Sequence, residues 1–127
     1  MTRLLVALLG AIVAATAPSL AHEGSAHTGK HGGKVVDTGH HHVEIVAKDG
    51  AIEVYLEHDD GKAEDVKDAK ASATVLSAGK TEVIALTPDA GNFLRGSGAF
   101  TAGKGTTIVV TLTMPGHKPE QARIILD

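Results

Sequence analysis

The sequence predicts an all-β domain, a small antiparallel Ig-like β-sandwich of about seven to eight short strands. Two features carry that expectation. From Gly33 onward, short runs rich in β-branched residues recur along the chain, and turn-forming clusters separate most of them. Several runs also alternate apolar and polar residues, the period-two signature of a strand with one buried face.

The runs, in order, are Lys34–Asp37, His41–Ala47, Ile52–Glu57, Ala73–Leu76, Glu82–Thr87, Phe93–Arg95, Thr106–Thr113 and Ala122–Leu126. Turn chemistry lies at Lys48-Asp49-Gly50, Asp59-Asp60-Gly61, Ser77-Ala78-Gly79, Pro88-Asp89-Ala90-Gly91, Gly103-Lys104-Gly105 and Pro115-Gly116. In Ile52-Glu53-Val54-Tyr55-Leu56-Glu57 the aliphatic residues face one way. Ile108, Val110 and Leu112 do the same within Thr107–Leu112. The segment Ala63–Ala69 reads equally as one helical turn or as a solvated crossover.

The Asp49-Gly50 pair sets one register. As a two-residue type I′ turn it pairs Lys48 with Ala51. Counting outward then sets Ala47 against Ile52, Ile45 against Val54, Val43 against Leu56 and His41 against His58. On the other face it sets Val46 against Glu53, Glu44 against Tyr55, His42 against Glu57 and His40 against Asp59. Every apolar residue of one inner face meets an apolar residue of the other, and a one-residue slip would destroy that match.

Ahead of this domain, residues 1–21 read as a secretory signal peptide. Arg3 precedes the apolar run Leu4–Ala15, and Ser19-Leu20-Ala21 offers the small residues of a cleavage site after Ala21. Residues 22–33 form a flexible His/Gly-rich arm without apolar packing residues, and residues 34–127 form the sandwich domain. A periplasmic or otherwise secreted location follows. No second apolar stretch reaches membrane length, so no membrane span is expected after processing.

Composition excludes several functions. Processing removes Arg3 and leaves 11 basic against 15 acidic residues, with no basic patch, so nucleic acid is not an expected partner. The only aromatic residues are Tyr55, Phe93 and Phe100, too few for a base-stacking platform. There is no cysteine, hence no disulfide and no thiolate ligand. The serines sit in no nucleophile motif and no His-Glu-x-x-His is present, so the protein is not expected to be an enzyme.

What the sequence concentrates is histidine. Seven of the eight lie between His22 and His58. Opposed residues on a hairpin stand about 5 Å apart at Cβ, close enough for two imidazoles to share one ion. One candidate site pairs His41 with His58 on the core-facing side. A second gathers His40 and His42 with Glu57 and Asp59 on the opposite side. His22, His27 and His31 on the arm, or His117 on the turn after Pro115, are further donors. After cleavage His22 would also carry a free α-amine, a chelate that suits Cu(II) and Ni. Glu44, Glu53 and Glu57 otherwise read as a solvated strand face.

The segments Lys30-His31-Gly32-Gly33-Lys34-Val35-Val36, His42-Val43-Glu44-Ile45-Val46 and Ile52-Glu53-Val54-Tyr55-Leu56 resemble a periplasmic module. It is the N-terminal β-domain of membrane-fusion adaptors in cobalt–zinc–cadmium efflux systems, and of related free-standing periplasmic metal-handling proteins. The resemblance spans His31 to Leu126. It implies a role in heavy-metal handling or resistance beside an efflux-system component, with His31 as the residue best matched to the motif. The lipoyl-like domain and helical hairpin of an adaptor have no counterpart in this sequence.

The expected function is therefore a periplasmic divalent-metal-binding protein, a buffer or carrier for Zn, Cu(II), Ni or Co. Its expected ligands are His22, His27, His31, His40, His41, His42, Glu57 and His58. Two alternatives remain: a non-catalytic interaction module with a disordered His-rich spacer, and a copper carrier built on His22.

Overall fold

The computed structural model describes residues 27–90 and 92–127. The signal-peptide reading and the His22 chelate fall outside them. Among the described residues there are nine strands and no helix. They are β1 (His27–Thr28), β2 (Lys34–Asp37), β3 (His42–Lys48), β4 (Ala51–Glu57), β5 (Lys70–Ser77), β6 (Lys80–Asp89), β7 (Phe93–Ser97), β8 (Thr107–Thr113) and β9 (Glu120–Ile125). All eight expected runs are strands, and β1 is an addition from the arm.

The domain is all-β and antiparallel, as expected. Its strands join one sheet in the order β1-β2-β3-β4-β7-β6-β5-β8-β9, which curls into a half-barrel. The long β6 makes the join. Its first part pairs with β5, from Ser77↔Lys80 to Ala71↔Leu86, and its last residues, Thr87 to Asp89, pair with β7. The curl brings β9 back towards β2, where the Lys34 ammonium donates to the Ile125 carbonyl at 2.6 Å and pairs with Asp127 at 3.0 Å.

Alternation places the core inside this curl. Ile52, Val54 and Leu56 of β4, and Ile108, Val110 and Leu112 of β8, are buried as their period demands. Each such side chain contributes about 1.5–3 kcal/mol on burial. The segment between β4 and β5 is a crossover without a helix, and it is less solvated than its charges suggest: Val66 and Ala69 are buried in the core cluster.

The β3–β4 register matches the sequence expectation pair for pair, from Lys48↔Ala51 to His42↔Glu57. The turn type differs. Gly50 has φ 71°, but Asp49 is not among the residues with positive φ, so the turn is not type I′. The loop following β7 decides this. Asp49 Oδ1 accepts the Ala102 N–H at 2.8 Å, Gly50 N–H donates to Phe100 O at 2.9 Å, and Gly98 N–H donates to Gly50 O at 3.0 Å. Positive φ at both central residues occurs instead at Ala78 and Gly79, between β5 and β6.

The described part of the arm folds over the outer face of β2 and β3. His27↔Val35 and Thr28↔Lys34 pair, and Gly29 N–H donates to Gly33 O at 2.8 Å. Glu44 organises this turn. Its carboxylate accepts the His31 N–H at 2.9 Å, the Gly33 N–H at 2.8 Å and His31 Nδ1 at 2.8 Å. Glu44 is thus buried, not solvated as the strand pattern implied, because the arm covers it. A Cβ at Gly33 would collide with the Ile45 carbonyl, so that position requires glycine, and one at Gly29 would push the Glu44 carboxylate out of this turn.

Candidate metal centre

The open end of the β3–β4 hairpin carries His41 and His58, just beyond the last ladder pair, His42↔Glu57. Their ring centroids are 6.0 Å apart, which fulfils the expectation that the hairpin brings these two imidazoles together. His41 is buried, whereas the His58 side chain is half exposed.

A third donor joins them. The turn at Asp59-Asp60-Gly61 closes with His58 N–H donating to Lys62 O at 2.8 Å, and the returning chain bridges Glu57 to Ala63. Glu64 N–H then donates to Leu56 O at 2.9 Å. Leu56 and His58 share a face of the strand, so Glu64, opposite Leu56, projects to the side on which His58 stands. Its Oε2 lies 2.6 Å from His58 Nε2 and 3.4 Å from His41 Nε2.

That oxygen is buried and stands within ion-pair distance of both imidazoles, but makes no well-formed hydrogen bond to either. A buried carboxylate is costly unless a cation or a donor compensates its charge. One ligand atom from each of His41, His58 and Glu64 lies within 4.8 Å of the others. A tetrahedral zinc with bonds of about 2.0–2.1 Å holds its ligand atoms roughly 3.3–3.4 Å apart. The His41–Glu64 separation already has that value, and the half-exposed His58 ring is free to open by the fraction of an ångström required.

His41 is oriented from behind. Its Nδ1 lies 2.9 Å from Glu120 Oε2, and Glu120 Oε1 accepts the Thr38 hydroxyl at 2.7 Å. Donation from Nδ1 leaves the Nε2 lone pair directed at Glu64, the arrangement by which a carboxylate fixes the tautomer of a ligating imidazole. The group lies in a cleft of about 440 Å³, with His40 and His117 also on its walls.

The other expected ligands lie outside this group: His27, His42 and Glu57 border a separate pocket, and among the described residues they do not converge at ligand spacing. The opposite-face grouping of His40, His42, Glu57 and Asp59 does not form. Thr38–His41 is a turn, closed by Thr38 N–H to His41 O at 3.0 Å, so the pleat stops at His42 and His40 swings to the His41 side. His42 Nε2 stands 3.7 Å from both Asp37 and Asp59, and Glu57 pairs with Lys30 at 2.8 Å. His27 is exposed on β1. His31 has a structural partner: besides Nδ1 to Glu44, its ring stacks on Tyr55 with centroids 3.6 Å apart, and Tyr55 stacks on Phe93 at 5.1 Å.

Sequence reasoning missed Glu64 and Glu120. Counting outward from Asp59-Asp60-Gly61, as from Asp49-Gly50, would have found the first. For the second, alternation in Glu120-Gln121-Ala122-Arg123-Ile124 puts Glu120 on the buried face with Ala122 and Ile124. Nothing local named His41 as its partner.

Among the described residues no helix is long and apolar enough to cross a membrane. No protein-family model, curated protein or solved structure matches the chain.

Proposed function

We propose that the protein binds a divalent transition metal reversibly, as an exported buffer or carrier in heavy-metal handling. One observation carries this reading: His41 Nε2, His58 Nε2 and the buried Glu64 Oε2 converge at ligand spacing, with Glu120 holding His41 from behind. Two imidazoles and a carboxylate, without sulfur, suit Zn, Cu(II), Ni and Co, and intrinsic affinity favours Cu(II). The ion is the cargo. The chain supplies neutral imidazole nitrogens and one carboxylate oxygen, and leaves a coordination position open to the cleft for exchange. Acid releases the ion, because protons compete for the same nitrogens.

The leader-like residues 1–21 support export to the periplasm, and the resemblance to efflux adaptor domains supports a partner in a metal-efflux system. The architectural counterpart of the proposal is an Ig-like sandwich. In that reading β2–β4 with β7 would make one leaf and β5, β8 and β9 the other, with β6 shared between them.

Calorimetric titration with Zn²⁺ tests the reading. His58→Ala, at a half-exposed position, is expected to weaken binding at least about tenfold while leaving the fold intact. Zinc at about 100 times its Kd should stabilise the wild type by roughly 2.7 kcal/mol, and the variant by far less at the same concentration. Equal affinity and equal thermal stabilisation in the two proteins would overturn the assignment.

A further inference from the structure

Two more imidazoles face each other at the mouth of the cleft. His40 belongs to the Thr38–His41 turn, in which Gly39 takes φ 90°. His117 belongs to the Met114–His117 turn, closed by His117 N–H to Met114 O at 3.0 Å, with Gly116 at φ 77°. They are 77 positions apart in sequence, yet their ring centroids lie 6.5 Å apart at 52°. The rings of His31, His41 and His42 all face carboxylates, whereas these two face one another.

Two imidazoles that share one ion through bonds of about 2 Å have centroids roughly 4.5–5.5 Å apart at octahedral to tetrahedral angles, about 1–2 Å closer than these two stand. Both side chains are exposed, so small torsional changes bring one nitrogen from each onto a common cation. Glu64, Asp65 and Asp68 line the same cleft against one cation, Lys67, so its walls carry a net negative charge that draws a cation in. Glu120 ties the geometry together. It begins β9, directly after the His117 turn, and accepts the hydroxyl of Thr38, which opens the His40 turn.

We propose that His40 and His117 form a second divalent-cation position at the mouth of the cleft, outside the one made by His41, His58 and Glu64. The proposal rests on the metal-binding reading of that inner group. With two imidazoles, both exposed and completed by water, the outer position is the weaker and fills second. It is where an ion exchanging with solvent or with a partner's ligand is first and last held.

Zn²⁺ titration of the full chain, followed by native mass spectrometry and calorimetry, decides the matter. The wild type is expected to take two ions, one tightly and one weakly. A protein carrying His40→Ala and His117→Ala should keep the tight equivalent and lose the weak one. A protein carrying His58→Ala and Glu64→Gln should lose the tight equivalent and keep the weak one. Uptake of a single ion by the wild type, or survival of the weak equivalent without His40 and His117, overturns the outer position and leaves the inner one standing. No uptake by any of the three proteins overturns both. Thermal melts of each variant confirm that the comparison is between folded chains.

Discussion

Glu120 and His41, 79 positions apart in sequence, meet in a buried hydrogen bond with Oε2 2.9 Å from Nδ1. The carboxylate meets the ring at Nδ1, not at the Nε2 that faces Glu64. It fixes which nitrogen of His41 is free and where that nitrogen points, and it anchors the turn that carries His40 through Thr38.

Glu120→Gln should therefore weaken Zn²⁺ binding by about 10- to 100-fold, the range found when a ligand's orienting partner is altered. Calorimetry measures it. An affinity equal to wild type would show that His41 needs no orienting carboxylate. The amide retains an oxygen to accept from Nδ1, so the effect reports the charge and the second acceptor more than simple loss of packing.

Glu44 makes the opposite prediction. Its carboxylate takes two backbone N–H groups and one ring nitrogen, and the amide of Glu44→Gln would turn a donor towards donors. Urea unfolding should show a loss of about 1–3 kcal/mol. Zinc affinity should stay within about twofold, since Glu44 lies on the outer face of the sheet and shares no partner with the inner group. A stable variant with impaired zinc binding would reverse the division of labour between the two carboxylates.

Tyr55 gives a pH signature. Burial, then the hydroxyl's donation to Glu53 at 2.9 Å and the charge of that carboxylate, then the charge of Glu44, push its phenol above the ordinary 10.0. A folded value above the unfolded one stabilises the protein below the unfolded value and is lost as pH rises through the folded value. Stability should thus decline once pH passes about 10, and less steeply in Tyr55→Phe. As the only tyrosine in a chain without tryptophan, Tyr55 reports directly by phenolate absorbance. A titration midpoint at or below the ordinary value would contradict the stacked, carboxylate-lined environment of His31, Tyr55 and Phe93.

By itself the sequence determined the strands, the β3–β4 register and the meeting of His41 with His58. Period-two burial and a short Gly turn are local rules, and they propagate along a hairpin without help from the rest of the chain. Even there the type of the Asp49-Gly50 turn escaped, because Ala102, Phe100 and Gly98 arrive from a distant loop to brace it.

Only the tertiary structure decided which carboxylates matter. Glu57 pairs with Lys30, and although counting outward from Asp59-Asp60-Gly61 sets Glu64 opposite Leu56, the approach of its oxygen to both imidazoles is seen only in the folded chain. Glu44 reads as exposed until the arm covers it. Glu120 reaches His41, and His117 reaches His40, only because the sheet curls and returns β9 to the β2 side. Alternation assigns a side chain to a face, but curvature of the whole sheet selects the residue it meets, and that curvature is a property of strands β2 to β9 packed on one core.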